Sequence, residues 1–205
     1  MNTTQQQRIL FVCIGVLLLP TLVLAEITCK IVKNPDATVT KIFYSKSKEI
    51  AKETRDKGDC VIEIIGKIPD GVCKEYYESG KLMALYNYKG NKLEGMSTFY
   101  YEDGSSRGER NYKNGKLEGK SRFFYTSGAL SAEWNYKEGT LEGKTMLYWG
   151  NGNVKADYNY KNGTREGVNT WYYENRVVRS VEVFEKGKMI HQKKYDNKGK
   201  IIAEH

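Results

Sequence analysis

The apolar positions of residues 71–175 fall in short runs rather than one long stripe. Each run is rich in aromatic and β-branched residues and ends at a glycine-centred break, the pattern of strands rather than helices. In the stretch 120–137, the run KSRFFYT ends at Ser127-Gly128, and ALSAEWNYK ends at Glu138-Gly139. In the second run Leu130, Ala132, Trp134 and Tyr136 share one face, while Ser131, Glu133, Asn135 and Lys137 share the other. Alternation with period two predicts a strand with one buried face. Asn114-Gly115 and Asn162-Gly163 predict tight turns, because both residue types accept positive φ.

The unit recurs. Gly80, Gly104, Gly128 and Gly152 lie 24 residues apart, as do Gly71, Gly95, Gly119, Gly143 and Gly167, and again Gly115, Gly139, Gly163 and Gly187. Tyr88, Tyr112, Tyr136 and Tyr160 keep the same step, and Phe184 continues it. A fixed period of this size signals a repeat architecture. The predicted fold is all-β: an elongated antiparallel β-meander of tandem 24-residue hairpins with degenerate capping repeats. Two strands per unit would advance the sheet by about 10 Å, so that five units span about 50 Å. One column of the second strand is small throughout (Ala84, Gly108, Ala132, Ala156, Ser180), and two residues on stand Tyr86, Arg110, Trp134, Tyr158 and Glu182. Small beside large on one face predicts a ring lying over a gap or the close approach of another layer. The other face carries Asn87, Asn111, Asn135 and Asn159 beside Lys89, Lys113, Lys137 and Lys161, and is expected to be wet.

The string Y-Y-x-x-G-K-L…Y-K-N-G-K-L-E-G resembles the variant MORN repeat of bacterial proteins similar to the YwqK-type antitoxin family. The resemblance covers residues 71 to about 188, with departures at Asn91, at Arg176 and around Ser105-Ser106. It implies a non-enzymatic β-hairpin array that acts by contact, and antitoxin-like neutralisation of a partner is the role it suggests.

Outside the array the pattern changes. Residues 1–25 run from a polar start with Arg8, through an apolar stretch, to Val23-Leu24-Ala25, which is the layout of a secretory signal peptide. The apolar run falls short of the roughly 20 residues of a comfortable span, and it carries Pro20. These features favour cleavage after Ala25 over an uncleaved anchor, and hence a secreted or periplasmic protein. Residues 26–70 read as an N-terminal cap with a worn copy of the repeat. Within it, 46–56 could also pass for a charged helix, while 61–65 predict a strand. Residues 71–188 form the array. Residues 189–205 read as a C-terminal cap that starts a truncated last copy at YDNKGKII.

Cys29, Cys60 and Cys73 all lie in the N-terminal third. In an oxidising compartment two of them are expected to pair, Cys29 with Cys60 or with Cys73. Their long spacings and the lack of a nearby histidine argue against a metal.

Removal of residues 1–25 takes away one basic residue, Arg8, and leaves a formal net charge of +7. Such a charge favours anionic surfaces, although lysines at turns also serve simply to keep sheet faces soluble. No nucleic-acid module is visible, and no nucleic-acid partner is expected. His191 and His205, the two histidines, stand near the C-terminus without a nucleophile turn. Glu94, Glu118, Glu142 and Glu166 recur at equivalent places, whereas a catalytic carboxylate pair breaks symmetry; they read as turn and lysine partners. No enzyme activity and no cofactor is expected. What remains is a surface. Most rings read as the core of a thin sheet, and the candidate binding residues are Tyr101, Tyr125, Trp149 and Tyr173 with Lys113, Lys137 and Lys161. The expected partner is another protein, and the alternative is a cell-envelope glycan or anionic lipid bound through aromatic and basic rows.

Overall fold

The computed structural model describes residues 26–58 and 61–205. The expected signal segment 1–25 and Cys60 lie outside the described residues, so neither cleavage nor a pairing of Cys60 is addressed by the fold.

The described residues form one 20-stranded sheet. Four strands precede the array: β1 (Ile27–Lys33), β2 (Val39–Ser45), β3 (Lys48–Arg55) and β4 (Val61–Gly66). Hairpin one follows as β5 (Gly71–Tyr76), β6 (Leu82–Lys89) and the short β7 (Lys92–Leu93). Hairpin two is β8 (Gly95–Tyr100), β9 (Ser106–Lys113) and β10 (Lys116–Leu117); hairpin three is β11 (Gly119–Phe124), β12 (Leu130–Lys137) and β13 (Thr140–Leu141). Hairpin four is β14 (Gly143–Tyr148), β15 (Val154–Lys161) and β16 (Thr164–Arg165). Hairpin five is β17 (Gly167–Tyr172) and β18 (Val178–Glu185), and β19 (Lys188–Tyr195) with β20 (Ile201–Glu204) closes the sheet. The helix considered for 46–56 is strand β3, paired on both sides with β2 and β4. No break separates 188 from 189, since both lie within β19.

The meander is antiparallel at every step but one. β5 pairs with β1 in parallel, Ile27 facing Cys73 and Cys29 facing Glu75. The expectation of a purely antiparallel sheet fails here because the chain, having run out through β2, β3 and β4, returns across the sheet before β5. Ile68 on that return is fully buried, and its N–H donates to Asn91 Oδ1 at 2.8 Å. Gly66 starts the return at φ +80°, where a Cβ would lie 2.5 Å from the Ile50 carbonyl oxygen, so only glycine fits.

This return curls the N-terminal end of the sheet over itself. β2 and β6 are separated by β1 and β5 in the ladder, which in a flat sheet would hold them about 14 Å apart. Yet the Phe43 and Tyr88 rings meet edge to face at 5.2 Å. Phe43, Ala51, Ile68 and Cys29 face Cys73, Ala84, Tyr86 and Tyr88 in the one closed core of the described residues. Burial of apolar area, at about 25 cal/mol per Å², concentrates the hydrophobic stabilisation at this end.

Each hairpin is built alike. The first strand ends in a bulge, between Phe99 and Tyr100 in hairpin two and between Phe123 and Phe124 in hairpin three. The small column faces the large side chains of two neighbouring strands: Gly108 opposes both Phe99 and Phe123. A Cβ on Gly108 would lie 2.8 Å from the Arg122 carbonyl oxygen and 3.2 Å from the Phe123 ring, so the neighbouring strand and its ring approach too closely for a side chain there. The tight turns predicted at Asn114-Gly115 and Asn162-Gly163 have both φ values positive, and Glu138-Gly139, Lys186-Gly187 and the inverted Gly90-Asn91 adopt the same form. Arg176 holds the other turn at φ 70° where earlier units have glycine.

Neighbouring hairpins are tied at both ends of their strands. At one end Tyr77, Tyr101 and Tyr125 each donate a hydroxyl hydrogen bond of 2.7 Å to a carbonyl of the next unit, at Tyr100, Phe124 and Tyr148. At the other end Glu94, Glu118 and Glu142 accept from the backbone N–H of Asn114, Glu138 and Asn162 at 2.8 Å, and Glu166 accepts from Lys186 at 2.7 Å. The recurrent glutamates are therefore turn partners, but they hold backbone rather than lysine. The face expected to be wet is stitched as well: Asn111 and Asn159 donate side-chain hydrogen bonds to the carbonyls of Lys120 at 3.0 Å and Val168 at 2.7 Å, and Asn87 and Asn135 repeat the contact to Met96 and Lys144.

Truncating Phe43 to alanine empties the centre of the closed core, and should lower unfolding free energy by about 3–5 kcal/mol in urea titrations. Tyr125→Phe removes one strut and leaves the Tyr148 carbonyl without its donor, for an expected loss of about 1–2 kcal/mol in the same measurement. Glu138→Asn relieves a left-handed glutamate and should raise stability by about 0.5–1 kcal/mol; an unchanged or lower denaturation midpoint would refute the strain.

Candidate functional site

The residues singled out from sequence do not form one surface. Tyr101, Tyr125 and Tyr173 are half-buried, and their hydroxyls are spent on carbonyls of the next unit, with Tyr173 reaching Tyr195 at 2.9 Å. Trp149 takes the same place, but its indole N–H is buried without a partner among the described residues, and Lys155 Nζ sits 4.6 Å above its ring. Lys113, Lys137 and Lys161 are exposed at the opposite ends of the strands, where they line one edge of the sheet. The two rows are separated by the length of an eight-residue strand such as β9, about 20 Å or more.

The expected pairing of Cys29 with Cys73 is not formed. Among the described residues Cys29 and Cys73 are both buried free thiols. They sit on adjacent parallel strands two positions out of register, because Cys29 faces Glu75 and Cys73 faces Ile27. This offset puts their Cα atoms roughly 8 Å apart, beyond the about 4.4–6.8 Å that a disulfide spans. A hydrogen bond between the thiols, with burial, pushes Cys73 far above the usual thiol range and keeps it protonated.

The inner face, which carries the small column, is where unused chemistry collects. Over hairpin one this face is covered by the curled N-terminal strands, and Tyr86 and Tyr88 are buried. Beyond it the same columns continue as Arg110, Tyr112, Trp134 and Tyr136, all half-exposed. The rings pack on one another: Phe123 lies 6.1 Å from Trp134, Trp134 stacks on Tyr136 at 6.4 Å, and Tyr158 meets Trp171 at 5.3 Å. Burial pushes the Tyr158 phenol up to about 12 and also raises Tyr136, so both rings stay neutral at physiological pH.

Arginines are threaded between these rings. The Arg110 guanidinium lies 5.1 Å from the Phe99 ring and 5.4 Å from Phe123; Arg165 lies 4.5 Å from Tyr158 and 5.3 Å from Phe184. Arg107 and Arg179 belong to strand positions that simple alternation assigns to the outer face. The bulge leaves each without a cross-strand partner, and they join the inner side, with Arg107 at 5.8 Å from Phe99 and Arg179 at 5.9 Å from Tyr173. At the C-terminal end the face deepens into a concavity of about 480 Å³ whose lining includes Arg165, Trp171, Arg179, Glu182 and Lys194. Glu182 is 3.6 Å from Arg165. Among the described residues Arg107, Arg110, Arg179 and Lys194 have no ion pair.

In the sequence Arg110 and Glu182 stand in a column otherwise held by Tyr86, Trp134 and Tyr158, and that departure was the available signal. The bulge cations had none, since a bulge reverses the face that a period-two count assigns. Among the described residues no cluster of three His, Cys, Asp or Glu side chains is arranged to hold a metal ion.

No curated protein matches the chain. A family model, the MORN repeat variant, matches residues 69–89, 93–114, 117–138 and 141–162. The matched segments fall on hairpins one to four, in steps that follow the hairpin period, and hairpin five continues the geometry beyond them. Four tandem segments within 69–162 thus match the MORN repeat variant, which suggests a repeat scaffold for contact with a protein or a membrane.

Proposed function

We propose that this protein is a non-catalytic repeat scaffold, secreted or periplasmic after loss of residues 1–25, that binds another protein across the inner face of hairpins two to five. Neutralisation of a harmful partner, as the antitoxin resemblance implies, is the specific role we assign to that binding. One observation carries the reading: the inner face of hairpin one is buried under a second layer that reaches Phe99 and Tyr112 of hairpin two, while over the ring columns of hairpins three to five no second layer lies within the described residues. Aromatic and arginine side chains presented together are the usual anchors of protein interfaces. A repeat that cannot bury its apolar face alone needs a neighbour on it.

A second reading has its own support. Lys113, Lys137 and Lys161 form an exposed basic row on one edge of the sheet, and such a row suits an envelope glycan bearing acidic groups or an anionic lipid surface. Contact of that kind weakens steeply as salt rises, because the Debye length falls from about 30 Å at 0.01 M to about 8 Å at 0.15 M.

Affinity capture with residues 26–205 from envelope and secreted fractions, at low and moderate salt, separates the two. The expected result is one stoichiometric protein that survives moderate salt and is lost with Arg110→Glu or Trp134→Ala. Recovery of lipid or wall material alone, released by salt and abolished by neutralising the three lysines, would overturn the protein-binding reading.

A further inference from the structure

We infer that the inner face takes an acidic strand of its protein partner, with carboxylate side chains seated on Arg179, Lys194 and Arg165 in the C-terminal concavity and apolar or aromatic side chains on the rings beside it. The inference rests on the inner face being the binding face, and it adds the chemistry of what binds there.

The first hairpin shows how this face meets a strand layer. Lys41 of β2 lies over the Tyr86 ring, 3.3 Å from its centroid, and 4.0 Å from a Glu75 carboxylate oxygen. A basic side chain on the covering layer thus meets a ring and an acid on the array. Farther along, the array inverts that sign. The Glu75 column continues as Phe99, Phe123, Leu147 and Trp171, and Arg110 replaces a ring in the Tyr86 column. Arg107, Arg110, Arg179 and Lys194 are added without acidic partners among the described residues. Glu182 offsets only Arg165. The layer complementary to hairpins three to five is therefore acidic where Lys41 of the chain's own cover is basic.

The rings sharpen the preference. A guanidinium within about 6 Å of a ring keeps N–H donors free, and a planar carboxylate matches them better than a diffuse charge does. In mid-strand the outer face has its cations matched, Lys120 and Arg122 with Glu133 at 2.7 and 3.4 Å and Lys144 with Asp157 at 2.8 Å, and its unpaired Lys113, Lys137 and Lys161 stand at the strand ends, away from any ring. Unmatched cations set among rings, as on the inner side, point to the partner's charge.

The test uses the mature chain and a fluorescein-labelled octapeptide alternating Glu and Tyr, followed by anisotropy. Peptides with Gln or Lys in place of Glu, and phosphatidylserine vesicles, serve as competitors for the same assignment. Arg179→Gln with Lys194→Gln removes two cations, both exposed and without ion pairs, and leaves the core untouched. The Glu peptide alone should bind, and this double variant should weaken it at least about tenfold. Neutralising Lys113 and Lys137 together should leave binding within about twofold, since both stand three or more ladder steps, about 14 Å, from the strands that line the concavity. Equal binding of the Gln peptide, loss with the turn lysines instead, or vesicle binding that vanishes with the double variant each overturns the inference. So does failure of every peptide; if capture of a protein still depends on Arg110 or Trp134, the inner-face reading then stands with a partner of different chemistry.

Discussion

Every hairpin of the array is joined to the next by one carboxylate at one end of its strands and, in most units, one phenol at the other. The carboxylate takes the N–H that opens the following turn, and the phenol donates to a carbonyl where the following first strand ends. A one-layer sheet has no second sheet to set its curvature, and cross-strand hydrogen bonds alone leave adjacent strands free to twist. The two ties fix neighbouring hairpins at both ends, so the aromatic columns stay aligned from unit to unit. Without that alignment the arginines would not lie between successive rings, and the small column would not sit under them.

The two halves of the molecule solve the same burial problem differently. At the N-terminal end the sheet bends until β2 covers β6, and Phe43 and Ile68 become fully buried. That closure needs a return segment tight enough to demand glycine at 66. Farther along, rings shelter one another sideways: Tyr158 is almost fully buried beneath Trp171 and Arg165 although no second layer is present among the described residues. Lateral packing of this kind leaves ring faces and guanidinium edges outward, which is why the same columns are core at one end and surface at the other.

Much of this was legible before any coordinates. The 24-residue step, the hairpin in each unit, the strand at 61–65 and the Asn-Gly turns follow from period-two alternation and from the conformational freedom of Asn and Gly. Four features were not. The parallel step between β1 and β5 depends on a long-range return that no local pattern encodes. The Cys29 and Cys73 thiols are neighbours but out of register, a matter of ladder offset that spacing in the chain cannot reveal. The tyrosines proposed for recognition are instead struts, because the residue after the bulge turns toward the next unit, and the basic inner face was hidden by the same bulge.

The ties between units reach a constant distance along the chain: 20 residues for each glutamate and 23 for Tyr77, Tyr101 and Tyr125. Each contact therefore belongs to a pair of adjacent copies and to nothing else in the molecule. A duplicated or deleted unit would find its clamps already in place on both sides, with the curled N-terminal end and the last strands undisturbed. Such a chain can change length by whole copies in a single genetic event, and the reach of its open face becomes a heritable quantity that varies in steps.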